Sequence, residues 1–147
     1  MSLKEKLMDD LKTAMREKDS VRKNAVQMVR SSVLQIEKDN HITLDDEGII
    51  DVISKEVKKR RDVLPDYVKS GRQELIDELN TEIKVLLVYL PQQLTEAEID
   101  VLVKEAITEV GASSMKDIGK VMTAIMPKTK GRADGKIINE LVKKNLA

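Results

Sequence analysis

The sequence predicts an all-α protein. Apolar residues recur at three- and four-residue spacing along nearly the whole chain. No stretch alternates long enough for a strand, and the breaks between apolar runs carry helix-capping residues. At 147 residues the chain is close to the commonest domain size, which limits it to one domain or two small helical lobes and excludes a multidomain enzyme.

The first helix opens with Ser2 three residues before Glu5, the capping-box spacing, and carries Leu3, Leu7, Leu11, Ala14 and Met15 on one face until it ends near Lys18. The second starts at Asp19 or Ser20, repeats Val21, Ala25, Met28, Val29, Val33 and Ile36, and fades into Asp39, Asn40 and His41. Thr43 and the acids Asp45, Asp46 and Glu47 introduce the third, where negative charge suits the positive end of the helix dipole. Its apolar face is Ile49, Ile50, Ile53, Val57 and Leu64, and Pro65 must kink or restart it. After a break at Ser70 and Gly71, the fourth helix follows Leu75, Ile76, Leu79, Ile83, Leu86, Leu87 and Leu90 and is closed by Pro91.

Pro91, Gln92 and Gln93 are the expected boundary, with an N-terminal lobe over residues 1–93 and a C-terminal lobe over 94–147. Leu94-Thr95-Glu96-Ala97-Glu98 supplies a fresh capping box with an apolar staple in front. The fifth helix presents Ile99, Leu102, Val103, Ala106, Ile107 and Val110 and stops at Gly111, where a left-handed residue is wanted. Ser113 or Ser114 caps the sixth, which carries Ile118, Val121, Met122, Ile125 and Met126 before Pro127. A polar loop from Lys128 to Asp134 leads to the seventh, with Ile137, Ile138, Leu141, Val142 and Leu146. The expected architecture is an irregular four-helix array followed by a three-helix bundle.

Composition removes whole classes of chemistry. Twenty-six Lys and Arg balance twenty-six Asp and Glu, so no global field draws the protein to nucleic acid or membrane, and any such partner must be met by a local patch. Charge is uneven, however: residues 111–147 hold eight cations against three acids, whereas residues 94–110 hold one lysine against five. With Tyr67 and Tyr89 as its only aromatic residues, the chain lacks the stacking platforms common in single-strand binders. Without Cys there is no disulfide, thiolate or Cys-based zinc site, and a single His excludes a His-paired metal site. The longest apolar run, Val85 to Leu90, is six residues against the ~20 that span a bilayer. The opening residues lack the apolar stretch of a secretory signal, so a cytoplasmic location with no membrane partner is expected.

Ser113-Ser114-Met115-Lys116 has the spacing of a serine nucleophile followed by lysine, and Lys128-Thr129-Lys130-Gly131 loosely matches its companion motif. That companion belongs on a strand, whereas two serines after Gly111 suit a helix amino terminus, so capping is the expectation. No glycine-rich phosphate loop occurs. His41 has no partners for catalysis and is expected in a solvated loop. Asp45 to Glu47 could hold a hard cation but read first as a helix start. In a chain without Phe, the Met8 and Met15 pair and the Met115, Met122 and Met126 stripe are expected to fill core gaps rather than to form partner grooves.

Two basic clusters stand out. Lys58, Lys59, Arg60 and Arg61 form the densest run, but Glu56 and Asp62 lie within a turn, so a solvated helix face is expected before an RNA contact. Lys128, Lys130 and Arg132 surround Gly131 just ahead of a helix amino terminus, where free N–H groups favour anions, although Asp134 is the natural cap and brings its own charge. Lys120 and Lys136 flank that loop in sequence and complete the phosphate-binding candidates.

Glu109-Val-Gly-Ala-Ser-Ser114, Gly119-Lys-Val-Met122, Ile125-Met-Pro-Lys128, Gly131-Arg-Ala-Asp-Gly135 and Leu141-Val142 resemble the C-terminal signature of the YqeY family. Val88-Tyr-Leu-Pro-Gln-Gln-Leu94 and Ser2-Leu-Lys-Glu-Lys-Leu7 extend the resemblance over the whole chain. The last three helices are also similar to the tail domain of GatB, the tRNA-reading subunit of the amidotransferase that converts glutamate to glutamine on mischarged tRNA. Gly119, Val121, Met122, Gly131, Ala133 and Asp134 match the tail pattern, and Lys130 and Arg132 occupy its basic positions.

The resemblance implies phosphate contact for Lys130 and Arg132, and tRNA or an amidotransferase or other tRNA-handling protein as partner. It also carries a link to carbon–nitrogen ligase activity with glutamine as amido donor, yet the catalytic body, amidase machinery, metal and ATP sites have no counterpart here. No catalytic residue, cofactor or metal is therefore assigned. The first reading is a noncatalytic tRNA-associated module that recognises shape and phosphates. The second is a protein-interaction adaptor for a tRNA-handling enzyme, and direct ligase activity comes third.

Overall fold

The computed structural model describes all residues 1–147 as seven α-helices and one 3-10 turn, with no strand. The chain divides into two compact units, Met1–Leu90 and Pro91–Ala147, a division three residues ahead of the one read from sequence.

The first unit holds α1 (Leu3–Arg16), α2 (Ser20–Asn40), α3 (Asp46–Ser70) and α4 (Gln73–Leu87). Local chemistry starts the first three. Ser2, Asp19 and Asp45 each accept the backbone N–H three residues on, from Glu5, Arg22 and Gly48. Thr43 lies outside α3, and Asp46 instead accepts the Leu3 N–H at 3.0 Å, joining the starts of α1 and α3. His41 ends α2 in the left-handed region at φ 54°, and its N–H donates to the Glu37 carbonyl. The core of this unit joins Leu7 and Leu11 of α1, Ala25, Val26, Val29 and Val33 of α2, Ile49, Val52, Ile53 and Val57 of α3, and Ile83 and Leu86 of α4. Burying each of the larger side chains contributes about 1.5–3 kcal/mol.

Helix α3 runs through Pro65 to Ser70 rather than restarting there, the exposed proline giving up one backbone bond without disturbing the core. Two features depart from the sequence reading. Helix α4 ends at Leu87 rather than at Pro91: Val88, Tyr89 and Leu90 turn over, and the Tyr89 ring enters the core. The Tyr89 hydroxyl donates to Asp10 at 2.5 Å, with Lys6 over the ring. Burial and then the Asp10 bond push the Tyr89 hydroxyl well above the usual tyrosine range. Met28 of α2, expected on the apolar face, is exposed while Val26 takes the buried place.

The second unit holds α5 (Glu96–Val110), a 3-10 turn (Met115–Asp117), α6 (Ile118–Thr129) and α7 (Gly135–Leu146). Thr95 caps α5 by accepting the Glu98 N–H, and Gly111 ends it at φ 67°, a conformation that L side chains rarely adopt. Ser114 caps the 3-10 turn, and α6 then continues through Pro127 to Thr129 instead of stopping before the proline. Ile99, Val103 and Ala106 of α5 meet Val121 and Ile125 of α6 and Ile138, Val142 and Leu146 of α7.

The methionines contradict their expected role. Met8, Met15, Met28, Met115 and Met126 are exposed and Met122 is only partly buried, because Leu, Ile and Val fill both cores without them.

Candidate nucleic-acid interface

The corner between α6 and α7 is built from the end of one helix and the cap of the next. Thr129, buried at 2% exposure, donates its hydroxyl to the Ile125 carbonyl. Lys130 then leaves the helix, Gly131 takes φ 72°, and the Arg132 N–H closes the turn on the Thr129 carbonyl at 2.9 Å. Asp134 caps α7 by accepting the Lys136 N–H at 3.0 Å, so one of the N–H groups expected to face an anion is already satisfied.

This corner is pinned from a distant stretch of the same unit. The Leu94 N–H donates to the Arg132 carbonyl at 2.8 Å, and Gln93 Nε2 to the Gly131 carbonyl at 2.8 Å. Arg132 Nε donates in return to the Gln92 carbonyl at 3.3 Å. Gln92 and Gln93 escaped the sequence reading, since no local pattern links residues about forty positions apart.

The predicted cations are held in different ways. Lys128 belongs to the last turn of α6 and pairs with Glu109 of α5 at 3.1 Å, and Lys120 lies 3.9 Å from Asp117. Arg132 is half-buried and braces the corner through Nε. Lys130 and Lys136 are exposed on either side of Gly131 and Arg132. The segment expected to be a polar loop therefore begins with the last two residues of α6 and holds the buried Thr129.

The basic run on α3 is differently placed. Lys58 pairs with Asp62 at 3.2 Å and Lys59 with Glu56 at 3.3 Å. Arg60 is buried at 8% exposure, which corrects its expected place on a solvated face. Its Nη1 donates to Glu56 Oε2 at 2.9 Å and to the Glu56 carbonyl at 3.0 Å. Arg60 Nε lies 3.4 Å from Glu82 of α4 without hydrogen-bond alignment, so Glu82 contributes charge rather than a directed bond. Burial alone would raise the Glu56 carboxyl, but bonds from Arg60 and Lys59 outweigh it and hold the group below the ordinary glutamate value. Arg61 is half-buried.

The Ser113 to Lys116 stretch acts as a cap. Asp117 Oδ2 accepts the Ser113 N–H at 3.0 Å and Ser114 Oγ the Lys116 N–H at 3.4 Å. The bond from the Ser113 N–H is the main cause holding the Asp117 carboxyl below its usual range.

A family model described as Yqey-like protein matches residues 4–146. Among curated relatives, "Altered inheritance of mitochondria protein 41, mitochondrial" of Lachancea thermotolerans is 33% identical over 111 residues, 74% of this chain and 59% of that protein. The protein of the same name from Kluyveromyces lactis is 34% identical, covering 73% of this chain and 60% of its own length. The chain thus spans about three-fifths of these two relatives. A glutamyl-tRNA(Gln) amidotransferase subunit of Saccharolobus solfataricus is 32% identical over 87 residues, 58% of this chain and 13% of that protein.

The mitochondrial names overturn the cytoplasmic location expected from sequence. That expectation asked about an apolar secretory leader, whereas mitochondrial leaders are amphipathic and rich in Arg and Ser, so the lack of an apolar stretch did not bear on compartment. No helix is long and apolar enough to cross a membrane.

Proposed function

The chain belongs to the Yqey-like protein family, and on that footing we propose that its second unit is a noncatalytic module that takes tRNA phosphates at the corner between α6 and α7. The pinned turn carries this reading. Gln93 and Leu94 hold the carbonyls of Gly131 and Arg132, so Lys130 and Lys136 flank a backbone already fixed before any ligand arrives. Preorganised cations near a helix start can position phosphates without reading bases. The similarity to a protein named for glutamyl-tRNA(Gln) amidotransferase supports tRNA as the nucleic acid. Amide transfer itself is left to another protein, and the purified chain alone is expected to hydrolyse no glutamine.

Salt-dependent tRNA binding tests the proposal. Each phosphate neutralised contributes about 0.7–0.9 to the slope of log affinity against log salt. Lys130→Glu with Lys136→Glu should therefore weaken binding and flatten the slope by about 1.5 units. Neither substitution touches the Arg132 brace or the Lys128 pair. Lys58→Glu with Lys59→Glu should matter less, since that run lies in mid-helix, away from any helix start or braced turn. Wild-type protein without salt-dependent binding, or a corner variant that binds as wild type does, would refute the assignment.

A further inference from the structure

Where α1, α2 and the start of α3 meet, the first unit leaves a recess of about 310 Å³ lined by Lys4 and Leu7 of α1, Arg30, Val33 and Leu34 of α2, and Ile49 of α3. Spacings of three and four residues put each helix's contributors on one side. Leu7 and Ile49 are each 1% exposed and Val33 belongs to the core, whereas Leu34 is 57% exposed, so the recess runs from core side chains out to solvent. With no Phe or Trp in the chain, no large ring is at hand to fill it. Its volume lies at the small end of the range for ligand sites, about 300–1,000 Å³.

The two cations on its lining differ in what holds them. Lys4 Nζ bonds Glu37 Oε2 at 2.6 Å, and the same oxygen accepts the Leu44 N–H at 2.8 Å, so this pair is closed and adds no net charge. Arg30 is half-buried and makes no hydrogen bond or ion pair within the chain. Its helix neighbours three and four residues away are Val26, Gln27, Val33 and Leu34, none of them acidic. A guanidinium beside apolar side chains gives up water on that side, and here the fold returns no partner for it.

We propose that the recess binds a short-chain aliphatic monocarboxylate, with its hydrocarbon against Leu7, Val33, Leu34 and Ile49 and its carboxylate on Arg30. A planar carboxylate meets the guanidinium fork through two parallel charge-assisted bonds. One unpaired cation matches one negative charge, and the carboxylate of Glu37 beside Lys4 disfavours a phosphate dianion. The apolar lining gives the hydrocarbon the burial that a bare anion could not use. All six residues belong to the first unit, so the site shares none with the Lys130 and Lys136 corner.

The test titrates hexanoate into full-length protein carrying 13C-methyl Leu, Ile and Val. Hexanoate should shift the methyl resonances of Leu7, Val33, Leu34 and Ile49 and leave those of Val103, Ile125 and Ile138 in place. Acetate, which lacks the chain, and hexanol, which lacks the charge, should each bind about tenfold more weakly or worse. Hexyl phosphate should also bind more weakly than hexanoate. Arg30→Gln should weaken hexanoate binding about tenfold or more while leaving hexanol unchanged, a split that loss of structure cannot produce. Leu34→Glu, at an exposed position one helical turn from Arg30, should pair with that guanidinium and abolish hexanoate binding while preserving the thermal melt. The proposal is overturned if hexanoate leaves the four first-unit residues unshifted, if acetate or hexanol binds as tightly, or if hexyl phosphate binds more tightly. It is also overturned if either variant binds hexanoate as wild type does, or if methyls of both units respond alike.

Discussion

The two basic clusters look alike in sequence and have opposite fates in the fold. On α3 the run Lys58 to Arg61 is drawn into the architecture of the first unit: Arg60 is buried between Glu56 and Glu82, and the two lysines pair with acids one turn away. At the corner of the second unit, the chain is braced through backbone groups and the Arg132 Nε, while Lys130 and Lys136 stay at the surface. The contrast teaches that cation density in sequence does not tell how each cation is held in the fold. On the long helix, acids three or four residues away pair with the lysines and a second helix buries the arginine, whereas at the turn main-chain bonds and the Arg132 Nε do the holding.

Removing the buried cation should break this contrast most strongly. Arg60→Ala leaves Glu56 buried with the exposed Lys59 as its one paired cation and a 3.4 Å bond from the Ser32 hydroxyl, a change that costs about 3–5 kcal/mol. Both tyrosines lie in the first unit, so urea unfolding followed by tyrosine fluorescence reports on that unit, while far-ultraviolet circular dichroism reports on both. The fluorescence midpoint should fall and a second, dichroic transition should stay in place. Equal movement of both would mean that the units unfold together.

Acid should act in the same direction with less force. Glu56 has a folded pKa below its ordinary value of 4.5, so its contribution is present above that value and is lost as pH falls through the folded one. The fluorescence midpoint should therefore decline below about pH 4.5 more steeply in wild type than in Glu56→Gln. An identical decline in both proteins would remove Glu56 from the account.

The second unit's brace sets a smaller effect. A fragment of residues 91–147 retains the Gln92 and Gln93 bonds, and one of residues 94–147 lacks them, so the longer should be more stable by about 1–2 kcal/mol in thermal melts. Both are short enough to be marginal, which makes the difference easy to read. Equal melting would deny the brace any energetic role. Smallest is His41→Gly, which relieves a left-handed histidine at the end of α2 and should stabilise the first unit by about 0.5 kcal/mol.

What could be read from sequence was the local chemistry. Ser2, Asp19, Asp45, Thr95 and Asp134 cap helices where a side-chain oxygen meets an N–H two or three residues on, and Gly111 stops α5, because such interactions involve only neighbours along the chain. The helix faces were legible for the same reason. Burial of Arg60 needed Glu82 from another helix, and the brace needed Gln92 and Gln93, so neither showed in a local window. Pro127 misled because proline's cost depends on what surrounds it, and this one is exposed. The methionines misled because composition tells how many apolar residues exist, not which of them the cores have room for.

The bonds between residues 92–94 and 131–132 have a mechanical consequence. They clasp the chain where it emerges from the first unit onto the same turn that presents Lys130 and Lys136. Tension along the segment joining the two units would arrive first at this clasp, before reaching any helix of the second. A load large enough to open it would release Gly131 and Arg132 together and slacken the turn.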